Sequence, residues 1–174
     1  MIKTIQLLTK TPEETQAVGH SLGAQARAGD IFLLTGPLGA GKTCLTQGIA
    51  RGLGVAGYVR SPTFVLMTRH HGRLTLHHVD LYRITGPEEA WDLGLDEQLS
   101  GDGVCVVEWA DRAAELFPES SLSVDLAYCG DEDSRTLSFS GGMQHHRAVL
   151  EGLSAAYPTD AWPPGARPEP GENA

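Results

Sequence analysis

Two short runs in this chain are apolar at every position: Ile31-Phe32-Leu33-Leu34 and Val104-Cys105-Val106-Val107. Continuous hydrophobicity over a strand's length predicts a strand covered on both faces, as in the middle of a parallel sheet. Elsewhere the pattern is mixed. Ile2–Leu8 read as a first strand. Two alternating stretches, 63–70 and 74–80, flank Gly72-Arg73 and predict a hairpin. That turn sets His70 opposite Thr75 and His77 opposite Thr68. Leu122–Tyr128 and Thr136–Ser140 predict a second antiparallel pair.

Between the strands the spacing turns helical. Ala17, Val18, Leu22 and Ala26 share one face, behind a start signal of Thr11, Pro12, Glu13 and Glu14: a hydroxyl cap, a proline, then acids in the first turn. A helix is expected from Thr43 to about Leu53, closed by Gly52 and Gly54. A short one is expected from Pro87 to about Leu93, and a last one over 142–155. Alternation of these elements predicts a three-layer α/β fold, mostly parallel in its sheet with antiparallel edge strands. One domain spans 1–156. Residues 157–174 hold five of the ten prolines and read as a disordered tail.

Between the first apolar strand and its helix lies Gly36-Pro37-Leu38-Gly39-Ala40-Gly41-Lys42-Thr43, a full G-x-x-x-x-G-K-[ST] motif, which makes the expected three-layer fold P-loop NTPase-like. Glycines let the backbone turn with positive φ and bring N–H groups against phosphate oxygens. The following helix aims its positive end at the anion. Lys42 reaches the β- and γ-phosphates, and Thr43 offers a hydroxyl to Mg²⁺. Such a loop needs a carboxylate near the metal and a group that positions water. Asp80 and Glu108 both stand at the end of strand-like runs, where ligand sites gather in parallel sheets. Trp109 follows Glu108 directly, as a partner contact or as packing.

Charge narrows the function. The net charge is −9, and Lys3, Lys10 and Lys42 are the only lysines. A protein gripping nucleic acid unaided carries a basic face. Here the basic residues cluster only at Arg60, Arg69, Arg73 and Arg83, on the hairpin's surface, so contact with RNA is expected through a partner protein. No stretch approaches a membrane span, and a cytoplasmic location is expected. Cys44, Cys105 and Cys129 are far apart, without disulfide or zinc spacing. Cys105 reads as a buried small hydrophobe. Cys44 opens a helix, whose dipole would lower its pKa, though packing is the better reading. His70-His71 and His77-His78 do not converge as metal ligands, because strand neighbours point to opposite faces.

Four segments in order resemble the TsaE (YjeE) family, the ATPases of bacterial tRNA threonylcarbamoyladenosine synthesis. They are Gly36–Thr43, Ser61-Pro62-Thr63-Phe64, His78-Val79-Asp80-Leu81-Tyr82-Arg83 and Val107-Glu108-Trp109. The resemblance covers about residues 4 to 140. It implies a role beside a TsaB–TsaD complex, which installs the modification on adenosine 37. ATP hydrolysis would support repeated turnover of that complex, with tRNA contacted only indirectly. It implies Mg²⁺ held by Thr43 and Glu108, and Asp80 acting on water or the metal shell. Lys42 and the loop from Gly36 through Leu38, Gly39, Ala40 and Gly41 to Cys44 would hold ATP. Ser61–Thr63 would sense the γ-phosphate, with Thr63 as a contact. Trp109 would support activity or docking. The stretch Thr9–Thr15, Thr11 included, would lie near the adenine. A small-molecule kinase on the same fold is the alternative, disfavoured by the scarcity of basic residues.

Overall fold

In the computed structural model, residues 4–99 and 101–159 are described. The two fully apolar runs form the centre of the sheet, as strands β2 (Ile31–Thr35) and β5 (Val104–Glu108). They pair in parallel, Phe32 beside Val106 and Leu34 beside Glu108. The other strands are β1 (Ile5–Thr9), β3 (Met67–His70), β4 (Leu76–Asp80), β6 (Leu122–Cys129) and β7 (Asp131–Gly141). The seven-stranded order is β1-β7-β6-β2-β5-β4-β3. Strands β6, β2, β5 and β4 are mutually parallel. Antiparallel β7 and β1 finish one side and antiparallel β3 the other. The three-layer architecture and antiparallel edges agree with the hydrophobic pattern.

Each central strand feeds two cores. Phe32, Leu34, Leu76, Val104 and Val106 face α1 (Pro12–Gln25), α2 (Lys42–Gly52) and α5 (Gln144–Ala156). Ile31, Leu33, Val79, Cys105 and Val107 face the opposite layer. That layer holds α3 (Pro87–Asp92), α4 (Leu95–Leu99) and a 3₁₀ segment, Ala110–Leu116. The last two elements were not legible as helices in the sequence. On the first face, α1 and α2 pack closely through glycines. A Cβ at Gly19, Gly23, Gly48 or Gly52 would run into the backbone of the opposing helix. This close approach fixes where α2 begins, and so where the glycine-rich loop ends.

Three expectations need correction. The 63–70 strand is only Met67–His70; residues 63–66 turn instead, with Leu66 at φ 69°. The hairpin register is displaced by one: His70 lies opposite Leu76, Arg69 opposite His77 and Thr68 opposite His78. The turn is held by long-range contacts invisible locally. Arg73 N–H donates to the Leu53 carbonyl, and its guanidinium donates to the carbonyls of Gly23 and Ala26 at the end of α1. Arg73 is exposed, yet its guanidinium ties the hairpin turn to the end of α1. At the chain's far end, Tyr157 packs on the core and its carbonyl accepts from Leu8 N–H. The rest of the expected tail, 160–174, lies outside the described residues, as do 1–3 of the first expected strand.

Candidate functional site

At the carboxyl end of β2 the chain enters the loop through Gly36 at φ 136° and leaves it through Gly41 at φ 105°. Both angles lie where only glycine is comfortable. Lys42 and Thr43 then open α2. The loop is braced from β6 and β7: Tyr128 OH donates to the Leu38 carbonyl, while Arg135 donates to the carbonyls of Ala40 and Gly39. Leu38 itself is exposed. Arg135 gave no sequence signal, since its role depends on β7 lying near the loop.

Lys42 is buried, and its Nζ donates to the carbonyls of Gly36 and Pro37 at 2.6 and 2.9 Å. The ammonium sits 4.0 Å from the centre of the Trp109 ring, a cation–π contact. Burial lowers the Lys42 pKa, and the carboxylates of Glu108, Asp111, Asp80 and Asp125 oppose that effect.

The two predicted acids are adjacent. Asp80 pairs with Glu108 across β4 and β5, and both are buried. Their roles differ by what they touch. Thr43 Oγ donates to Glu108 Oε1 at 2.6 Å, and the other oxygen, Oε2, meets His78 Nε2. Asp80 faces the turn that replaced the expected strand. Ser61 Oγ and Thr63 Oγ (2.9 Å) donate to its Oδ2, and Tyr82 N–H donates to Oδ1. A hydroxyl and carboxylate oxygens close together form a hard donor set that fits Mg²⁺. Thr43 and Glu108 supply the pair nearest the loop, and Asp80 is tied to the Ser61–Thr63 segment.

The remaining predicted residues fall around this centre. Trp109 adopts φ 57°, turning its ring back over Lys42 and against Tyr82. Thr11 uses its hydroxyl to cap α1, accepting from Glu14 N–H at 3.1 Å. Cys44 Sγ donates to the Pro12 carbonyl, which ties the start of α1 to the start of α2. Its thiol pKa is raised by burial rather than lowered by the helix, so the dipole reading does not hold. Cys105 is fully buried, and burial pushes its thiol up to about 12.

One cluster was missed. Asp30, His145 and His146 gather at the opposite end of β2, their ligand atoms within 4.8 Å of one another. A metal there fails on proton placement. Met143 N–H donates to His146 Nδ1. That leaves the ring proton on Nε2, which then has no lone pair for an ion. The residues are 115 positions apart, so no local motif announced them.

Known proteins resemble this chain over most of its length. Residues 9–137 match the family described as threonylcarbamoyl adenosine biosynthesis protein TsaE. A Bacillus subtilis tRNA threonylcarbamoyladenosine biosynthesis protein TsaE is 41% identical over 154 residues, covering 88% of this chain and 96% of that protein. Its counterpart in Treponema pallidum is 39% identical over 127 residues, covering 73% and 94%. A crystal structure of Bacillus subtilis YdiB superposes with a TM-score of 0.75 at 38% identity, covering 90% of this chain and 97% of that one.

Proposed function

The chain belongs to the TsaE family of threonylcarbamoyl adenosine biosynthesis proteins, and from that premise we propose that it is a Mg²⁺-dependent ATP hydrolase. It serves tRNA threonylcarbamoyladenosine formation in the cytoplasm, binding and cycling a complex of TsaB- and TsaD-like partners. Among the described residues no helix is long and apolar enough to cross a membrane.

The observation that carries the hydrolase reading is the Thr43–Glu108 contact. It joins the first turn after the loop to a buried carboxylate on another strand, beside a buried lysine. Bound Mg²⁺ supplies charge neutralisation to the phosphate oxygens; Thr43 and Glu108 would hold it. Lys42, now resting on the Gly36 and Pro37 carbonyls, supplies the ammonium for the β- and γ-phosphates. The loop N–H groups between Gly36 and Thr43 orient the anion. Asp80 accepts from Ser61, Thr63 and Tyr82 N–H. It thus links any movement of the 61–64 segment to a carboxylate beside Glu108, and it orients the attacking water. Trp109 shields Lys42 from solvent.

Arg135, the arginine bonded to the loop, is committed to the carbonyls of Gly39, Ala40, Glu132 and Ser134. Arg112 is exposed, 5.7 Å from the Trp109 ring and 5.9 Å from that of Tyr82. With its loop arginine already committed to carbonyls, the isolated chain hydrolyses ATP slowly, and the partner complex accelerates it. Phosphate release with and without purified TsaB and TsaD tests this; fast turnover by the chain alone overturns it. Lys42→Ala abolishes nucleotide binding or turnover. Calorimetric titration with ATP showing undiminished affinity, together with unchanged hydrolysis, would remove the reading.

A further inference from the structure

We propose that His78 is a positioning residue that sets the Glu108 carboxylate for the metal, an inference that rests on the ATPase reading above. Strand alternation puts His78 and Asp80 on the same face of β4, and His78 pairs with Val106, two residues before Glu108. The imidazole therefore sits one pleat beneath the acid. It is 0% exposed. Its Nε2 contacts Glu108 Oε2 while Thr43 holds Oε1.

The proton assignment follows from the partner. An ionised carboxylate only accepts, so Nε2 carries the hydrogen. Nδ1 is then a buried acceptor, without a hydrogen-bond partner among the described residues. An unsatisfied buried acceptor costs about 1–3 kcal/mol. An aliphatic side chain on this face, beside Leu76 and Val106, would avoid that cost. What only the imidazole provides is a donor held beneath Glu108.

The consequence is directional. A glutamate at the end of a strand can turn either oxygen toward the loop by rotation of its terminal torsion. With Oε2 held from below by a rigid ring, Oε1 is left facing Thr43. The carboxylate is thereby preset where the hydroxyl and a cation meet, as second partners of metal ligands do elsewhere.

Reach gives a clean test. A glutamine amide nitrogen extends about as far from the backbone as histidine Nε2, whereas an asparagine amide reaches only as far as Nδ1. The full chain is prepared as wild type, His78→Gln, His78→Asn and His78→Leu, with folding checked by circular dichroism and thermal unfolding. Calorimetry reads the affinity for a non-hydrolysable ATP analogue in EDTA and across a Mg²⁺ titration; phosphate release reads the Mg²⁺ concentration for half-maximal hydrolysis.

His78→Asn and His78→Leu raise the Mg²⁺ requirement about tenfold or more, and leave analogue affinity in EDTA unchanged. His78→Gln stays near wild type. Should His78→Leu fail to fold, the Gln and Asn pair carries the comparison. A wild-type Mg²⁺ requirement in His78→Asn overturns the inference. So does a loss in His78→Gln equal to that in His78→Asn. Absence of hydrolysis by the wild type would instead sink the ATPase reading, and the calorimetric arm would still report on His78.

Discussion

Two buried imidazole–carboxylate clusters lie at opposite ends of the central parallel strands, and they differ in what is left over. At the foot of β2, Asp30 Oδ2 accepts from Arg27 N–H at 2.8 Å, and His145 Nε2 donates to the same carboxylate. His146 Nε2 lies 3.0 Å from Oδ2, close enough for attraction though off the line of a well-directed hydrogen bond. His146 Nδ1 is engaged by Met143 N–H at the start of α5. The contacts of both histidines with Asp30 join the start of α5 to the foot of β2. At the other end, Glu108 is gripped on one oxygen by His78 and offers the other to Thr43, at the end of the glycine-rich loop. On the proposed reading, the same chemical pair is structural where its hydrogen bonds close on themselves, and functional where one is made to a hydroxyl that would share it with a cation.

The largest effect that would sharpen this contrast is on turnover. Glu108→Gln retains the shape of the side chain and removes the charge. ATP hydrolysis by the partner-stimulated chain falls about 100-fold or more, with thermal unfolding little changed. Phosphate release together with a melting curve checks it, and full activity in this variant would erase the distinction between the two ends.

Asp30→Ala tests the other cluster. It strips the partner from two histidines and costs roughly 3 kcal/mol of stability, read from urea unfolding midpoints. Hydrolysis per folded molecule stays at the wild-type rate. A variant that unfolds normally but loses activity would move the foot of β2 into the catalytic machinery.

The smallest effect is in the acid dependence. Burial pushes the Asp30 carboxyl upward, but the nearby His146 imidazole and the hydrogen bonds from Arg27 N–H and His145 outweigh it, and its pKa is lowered. A carboxyl with a depressed folded-state pKa adds stability above its unfolded value, and that stability is lost as pH falls through the folded value. The wild type's advantage over Asp30→Asn is therefore full near pH 5 and shrinks below about pH 4. Urea midpoints at pH 5 and 3 would show it, and a gap that widens on acidification would contradict the sign.

The site was legible in proportion to how local its residues are. Gly36–Thr43 is contiguous, and its glycines, lysine and threonine declare a phosphate loop wherever a strand precedes and a helix follows. Asp80 and Glu108 were found because each ends a recognisable run. Arg135, Tyr128 and the Asp30 cluster were not, since each reaches its partner across the sheet from a distant part of the chain. The hairpin register failed for a related reason. Its turn is held by Arg73 reaching α1 and Leu53, and strand alternation alone carries no information about that anchor.

Hydrophobic period and turn chemistry are properties of neighbouring residues, so the sequence by itself determined the doubly covered strands, the loop and the acids at the strand ends. Strand order, the pairing of Asp80 with Glu108 and the placing of His78 beneath that glutamate came only with tertiary structure. They depend on which surfaces meet, and here that is decided by glycine-to-backbone contact between α1 and α2 and by burial on both faces of β2 and β5.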